Sequence, residues 1–334
     1  MTGDGISNRF LDELATRGRV GAQDVLHLRR AVFADGLVSR EEARALLCVD
    51  RAATEKSPEW TAFLVEAVSD YLVHQERPAG HVSEDNAAWL VDVLADHDGD
   101  DLATKLEVLI GVLERATSTP ASLSAHALAV VAQAVVEGDG RLSCGGEITP
   151  GVIGKPEVAL MRRILYAFGG GEGIGISRAE AEVLFDLNDR TASAANDAEW
   201  SELFVKAIAN FVMCASGYVP PCREEALRRE AFLDSADVDV AGFFRRMASG
   251  GVKGIFAAYR RDFGRETGFA ALNTARAQAS AEAEAIDADE AAWLVDRITR
   301  DRAIHDNERA LLTFIARESP SIHPAIRELA AKVA

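Results

Sequence analysis

Residues 60–72 of the chain read WTAFLVEAVSDYL, and residues 200–212 read WSELFVKAIANFV. Both segments carry apolar side chains at i, i+3, i+4, i+7 and i+8 from the tryptophan, which is the stripe of an amphipathic helix. A second stretch, AAWLVD, occurs at residues 87–92 and again, unchanged, at residues 291–296. All four tryptophans therefore fall into two matched pairs, and the sequence predicts an internal duplication.

Shorter matches follow the same order along the chain. Residues 28–33 pair with 161–166, and residues 39–43 pair with 177–181. Since the apolar spacing is helical nearly throughout, we predict an all-α fold, a duplicated helix-pair bundle with helices of about 10–18 residues packed as antiparallel pairs. The predicted parts are a lead-in (1–21), a first helical half (22–137), a Gly-rich linker (138–156) and a second half (157–334) with an inserted helical segment at about 217–285.

The length of 334 residues fits two domains or one duplicated domain, because domains usually hold about 100–200 residues. Apolar residues make up 48% of the chain, which is enough to form a sizeable core. Acidic residues number 53 against 36 basic ones, and the net charge of −17 disfavours broad nucleic-acid binding. No apolar run is long enough to cross a membrane, no secretory leader is recognisable, and the four cysteines form no CxxC pair. We therefore expect a cytoplasmic protein with free thiols, in which Cys48, among apolar neighbours, is buried.

Residues 35–42, DGLVSREE, form a pattern that recurs between helical stretches. Residues 301–308, DRAIHDNE, keep the aspartate, the branched apolar residue and the glutamate at the same offsets, and Asp139 begins a shorter copy. Two interpretations are open. In the first, Ser39 caps the following helix and Glu42 closes a capping box. In the second, carboxylates from more than one corner coordinate a hard cation such as Ca²⁺ or Mg²⁺. The candidate metal ligands are Asp35, Glu42, Asp139, Asp301 and Glu308.

The pattern Asp-Gly-x-Val-Ser-x-x-Glu between amphipathic helices resembles the tellurite-resistance TerB family and the related N-terminal domain of DjlA-type co-chaperones. The residues that carry the resemblance are Asp35, Gly36, Val38, Ser39 and Glu42, with Asp301, Ile304 and Glu308 in the second copy. The resemblance implies an all-helical domain of pseudo-repeated helix pairs, in agreement with the duplication. It also implies divalent-metal binding through acidic clusters and a role in stress-response complexes at the inner face of the membrane.

The insertion carries a basic and aromatic stretch. Residues 241–266 hold six basic and two acidic residues, a net charge of +4, and Phe256, Tyr259 and Phe263 recur at helical spacing. Three interpretations are open: docking on the acidic body of the same chain, contact with a partner helix or a membrane surface, and stacking of single-stranded nucleic acid. The candidate partner-binding residues are Phe243, Phe244, Arg245, Arg246, Lys253, Phe256, Tyr259, Arg260 and Arg261.

Catalytic signatures are weak in this sequence. The glycines at 169–173 follow no strand and precede no Lys-Ser/Thr pair, and the seven histidines lack HExxH spacing. His97 lies in the acidic run Asp96–Asp101, which we interpret as a solvated loop or, alternatively, as a cation site. The sequence thus favours a non-enzymatic adaptor or sensor with a protein partner. The alternatives are an enzyme with carboxylates between the two halves and a purely structural helical protein.

Overall fold

Helices dominate the fold. The structure, a computed structural model, describes residues 4–32, 37–97, 101–138, 140, 142, 148–167, 175–213, 288–318 and 323–332. In those ranges the only strands are β1 (Arg19–Val20) and β2 (Glu55–Lys56), which pair in parallel. The helices are α1 (Asp4–Arg17), α2 (Ala22–Val32), α3 (Arg40–Ala52), α4 (Pro58–Ser69), continued by a π-helical turn (Asp70–Gln75), α5 (Glu84–Val93), α6 (Leu102–Arg115), α7 (Ala121–Glu137), α8 (Lys155–Leu165), α9 (Arg178–Thr191), α10 (Ala198–Met213), α11 (Ala288–Thr299), α12 (Asp306–Glu318) and α13 (Pro324–Ala331). The predicted all-α class is confirmed, and none of the described helices combines the length and apolarity that crossing a bilayer requires.

Serine capping boxes start two of the helices. Ser39 Oγ accepts a hydrogen bond from the backbone N–H of Glu42 (3.2 Å), and Glu42 Oε2 accepts one from the backbone N–H of Ser39 (2.9 Å). Ser177 and Glu180 repeat this arrangement at the start of α9, with distances of 3.3 and 2.7 Å. Each box satisfies backbone donors that the first helical turn leaves unpaired. The capping predicted for Ser39 and Glu42 is therefore confirmed.

One hydrophobic core continues through both predicted halves. Trp60 and Trp200 lie in the first turns of α4 and α10, and both are fully buried, at 0% and 1% exposure. Helix α7 packs against α5 and α6 of the first half and against α8 and α9 of the second. The division at residues 138–156 stays a prediction.

The other two tryptophans occupy similar surroundings. Each packs edge-to-face against an aromatic ring and lies beneath an arginine. The first set is Arg40, Trp89 and Tyr71, and the second is Arg178, Trp293 and Phe211. The ring centroids are 5.3 Å apart in the first set and 4.8 Å in the second, and the guanidinium carbon lies 5.2 and 5.9 Å from the indole centroid. The residues of the two sets occupy positions that the sequence comparison aligns with each other. That the two halves arose by duplication stays a prediction.

Candidate functional site

The corner between α11 and α12 holds two of the predicted metal ligands, Asp301 and Glu308. Asp301 Oδ1 accepts a hydrogen bond from the backbone N–H of Ala303 (2.9 Å), and its Oδ2 lies 2.6 Å from Nε2 of His305. Glu308 Oε2 accepts a hydrogen bond from the backbone N–H of His305 (2.7 Å). This is the backbone half of a capping box, the same contact that Glu42 makes at α3, so local sequence explains the shape of the corner.

Burial sets the electrostatics of this corner. Glu308 is 1% exposed, and burial raises the pKa of its carboxyl to about 7, with the neighbouring carboxylates of Asp189 and Asp301 acting in the same direction. Burial also raises the pKa of Asp189 on α9, against the opposing effect of Arg297. The pKa of Asp301 is lowered, mainly by the backbone N–H it accepts from. The corner therefore joins carboxylates that repel one another in a partly dehydrated space.

Arg297 of α11 supplies a cation next to this corner. Its side chain is 0% exposed, and Nη2 donates a hydrogen bond to Asp186 Oδ1 (2.6 Å). Nη1 lies 3.2 Å from Glu182 Oε2, and Nη2 lies 3.5 Å from Asp189 Oδ2. The guanidinium also covers the ring of Phe185, at 5.2 Å from its centroid.

Arg297 was not predicted from the sequence, because most arginines lie at the surface. Two signals were present. Arg297 stands at i+4 from Trp293 and i+3 from Leu294, within the buried stripe of α11. Glu182, Asp186 and Asp189 are spaced i, i+4 and i+7, so they share one face of α9. Such an acidic face requires a counter-charge where it is packed against another helix.

The predicted metal ligands are not assembled into one site in the part of the chain that the structure describes. Glu42 is occupied in the Ser39 capping box, and Asp35 and Asp139 lie outside the described residues. No three His, Cys, Asp or Glu side chains in the described ranges are arranged to hold a metal ion. The candidate partner-binding residues, all between Phe243 and Arg261, also lie outside these ranges.

A second buried charge cluster surrounds Asp50 of α3, which is 0% exposed. Asp50 Oδ1 accepts a hydrogen bond from Nε1 of Trp60 (2.6 Å) and lies 3.1 Å from Nζ of Lys56, which also reaches Asp101 Oδ1 (2.5 Å). His97 Nε2 lies 3.7 Å from Asp50 Oδ2. His97 is 2% exposed, so its predicted place in a solvated loop is wrong. Burial lowers the pKa of its imidazole, and the Asp50 carboxylate opposes that shift.

Cys48 of α3 is exposed, so the predicted buried thiol is wrong. Its neighbours Leu46, Leu47 and Val49 are buried. Because successive helical residues point about 100° apart, a run of apolar residues wraps around the helix, and Cys48 falls on the face that the core does not cover.

No protein-family model, curated protein or solved structure matches the chain. The resemblance to the TerB family therefore rests on the residues of the corner pattern alone, and it stays a prediction.

Proposed function

We propose that the protein is a non-enzymatic helical adaptor or sensor of the TerB type, acting in the cytoplasm. The observation that supports this function is the α11–α12 corner, where buried Glu308 lies near the carboxylates of Asp189 and Asp301. A buried carboxyl with a pKa of about 7 changes charge close to neutral pH, and its state depends on whatever neutralises the neighbouring carboxylates.

A divalent cation is the ligand that we propose for this corner. Ca²⁺ and Mg²⁺ take oxygen ligands, and carboxylates are the strongest of these. Arg297 already balances Asp186 and Asp189 on the α9 side. The cation would therefore bind on the side of Asp301 and Glu308, where it takes the place of the proton on Glu308.

A change at Glu308 has a physical route to the rest of the molecule. Its carboxylate holds the first turn of α12 through the backbone N–H of His305, and α12 packs against α10 and α13. Residues 214–287 follow α10 in the chain. We propose that the basic and aromatic stretch 241–266 within them contacts a protein partner, because its charge of +4 contrasts with a chain of −17.

The test is a calorimetric titration of the metal-stripped full chain with Ca²⁺, Mg²⁺, Mn²⁺ and Zn²⁺ at physiological salt. Wild type is compared with Asp301→Ala and with Asp296→Ala as the matched control. Asp296 is an acidic residue of α11 whose side chain is 73% exposed and pairs with Arg300. We expect saturable binding in wild type and in the Asp296 variant, and its loss in the Asp301 variant.

Two outcomes would contradict the cation-sensing proposal. Equal binding by all three proteins would place the cation elsewhere in the chain. Heat no larger than the screening background would mean that Glu308 only caps α12 and that Asp301 only holds the turn before it.

A further inference from the structure

An open cleft lies between α3 and the C-terminal end of α5. Its volume is about 330 Å³, near the lower end of the range of roughly 300–1,000 Å³ that small-molecule sites occupy. The polar side chains of its wall are Arg44, Cys48 and Arg51 from α3, and Asp92, Asp96 and His97 from the other side. The two sides of the cleft thus carry opposite charges.

Each arginine faces a carboxylate across the cleft. Arg44 Nη2 lies 3.8 Å from Asp92 Oδ2, and Arg51 Nη1 lies 2.5 Å from Asp96 Oδ2. All four side chains are between 51% and 76% exposed. Exposed pairs of this kind contribute little to stability, so a ligand can replace either partner at small cost.

His97 adds a buried imidazole whose polar neighbours are the Asp50 carboxylate and a backbone group of Leu47. The residue is 2% exposed, and neither ring nitrogen makes a hydrogen bond of normal geometry to a described residue. Next to the imidazole, Asp50 Oδ2 is also buried and makes no hydrogen bond of normal geometry to the residues that the structure describes. His97 therefore belongs to the buried part of the cleft wall, and the exposed arginines and aspartates are the groups that a ligand meets.

The second half has a filled cleft at the matched position. Extending the match of residues 39–43 with 177–181 aligns Arg44, Cys48 and Arg51 with Glu182, Asp186 and Asp189. Extending the AAWLVD match aligns Val93 with Arg297. In the second half, the guanidinium of Arg297 lies against the three carboxylates of α9.

The cleft in the first half carries charges of the opposite sign from those around Arg297 in the second half. The α3 side carries two guanidiniums where α9 carries carboxylates, and Val93 is too short and apolar to take the place of Arg297. The chain therefore fills this position with its own charged group in one half and leaves it open in the other.

We propose that the cleft between α3 and α5 binds a small zwitterion of the α-amino-acid class. The ligand carboxylate meets Arg44 and Arg51, and the ligand ammonium meets Asp92 and Asp96. A simple anion is repelled by the two aspartates and a simple cation by the two arginines, so a ligand with both charges is selected. The site is separate from the α11–α12 corner and does not depend on cation binding there.

Protection of Cys48 from alkylation tests the proposal on the full chain. The rate of Cys48 modification by iodoacetamide is measured by peptide mass mapping in the presence of each standard amino acid in turn, except cysteine, whose thiol would consume the reagent. Acetate and methylammonium, at the same concentration and ionic strength, serve as the two halves of the zwitterion. We expect at least one amino acid to slow the reaction about tenfold at a concentration roughly ten times its Kd, because only the unliganded fraction reacts.

Two variants assign the effect to the cleft. Arg51→Ala removes one contact for the ligand carboxylate, and protection should be lost. Arg29→Ala removes an exposed ion pair of the same kind, with Glu66 at 2.6 Å and outside the cleft, and protection should be kept. The proposal is overturned if no amino acid protects Cys48, if acetate alone protects equally well, or if the Arg51 variant keeps full protection.

Discussion

Replacing Arg297 with methionine is expected to destabilise the protein by about 3 kcal/mol near neutral pH. Methionine keeps an unbranched chain over Phe185 but removes the charge that faces three carboxylates. Breaking a buried ion pair by removing one partner costs about 3–5 kcal/mol. The loss of stability in the Arg297→Met variant should lie at the lower end of this range. The carboxylates of Asp186 and Glu182 are 62% and 35% exposed, so water screens their interaction with the guanidinium.

The loss in the Arg297→Met variant should shrink on acidification. Burial raises the pKa of Asp189, and Arg297 opposes that shift, so the variant raises this pKa further. A carboxyl whose pKa is higher in the folded state than in the unfolded state destabilises the fold once it is ionised. The free-energy penalty from Asp189 is absent below the pKa that its carboxyl has in the unfolded chain, about 3.9. It appears as the pH rises through the pKa of the same carboxyl in the folded protein.

The assay is urea unfolding followed by circular dichroism at several pH values. Arg300→Met is the matched control on the same helix, since Arg300 lies 3.9 Å from the same Asp186 but is 51% exposed. The control should change the free energy of unfolding by less than about 0.5 kcal/mol. A loss below about 1 kcal/mol for the Arg297 variant, or a loss that stays constant with pH, would refute the role of this guanidinium as a buried counter-charge.

Two further predictions concern Glu308 and Gly111. Glu308→Gln keeps the cap acceptor and removes the charge. Because the pKa of Glu308 is raised from 4.5 to about 7, the wild type should lose about 3 kcal/mol more stability than the variant as the pH rises through this window, which pH-dependent urea unfolding of both proteins would show. Gly111 of α6 lies against Val65 of α4, where an added Cβ would overlap the valine side chain. Gly111→Ala should therefore cost about 1–3 kcal/mol. The cost should be smaller in a Val65→Ala background, where only the flexible end of Arg115, 2.9 Å from the added Cβ, still has to move. Urea unfolding of the single and double variants measures both values, and a loss of equal size in both backgrounds would contradict the steric reasoning.

Features that depend on near neighbours in the chain could be predicted. The stripes beginning at Trp60 and Trp200 form helices, and both tryptophans are buried. Ser39 and Glu42 form the predicted capping box. These outcomes follow from interactions between residues three or four apart, which a one-dimensional pattern records.

Features that depend on contacts between distant segments of the chain could not be predicted from the sequence. Trp60 Nε1 donates a side-chain hydrogen bond to Asp50, and Lys56 and His97 approach the same carboxylate from other segments, with Lys56 also paired to Asp101. The residue types in the acidic run around His97 do not indicate whether its imidazole is buried or solvated. Burial is decided by which elements pack together, and a local pattern does not record that.

The sequence by itself determined that this chain is all-α, where its main helices lie and which of their faces are apolar, because helical periodicity and capping are local properties. The tertiary structure alone decided which charges are buried and how they are balanced. Arg297 fills one cleft between matched helices, while the cleft beside Cys48 stays open with opposite charges on its two sides. That difference arises from desolvation and charge pairing between helices far apart in the chain, which act only after the helices have packed.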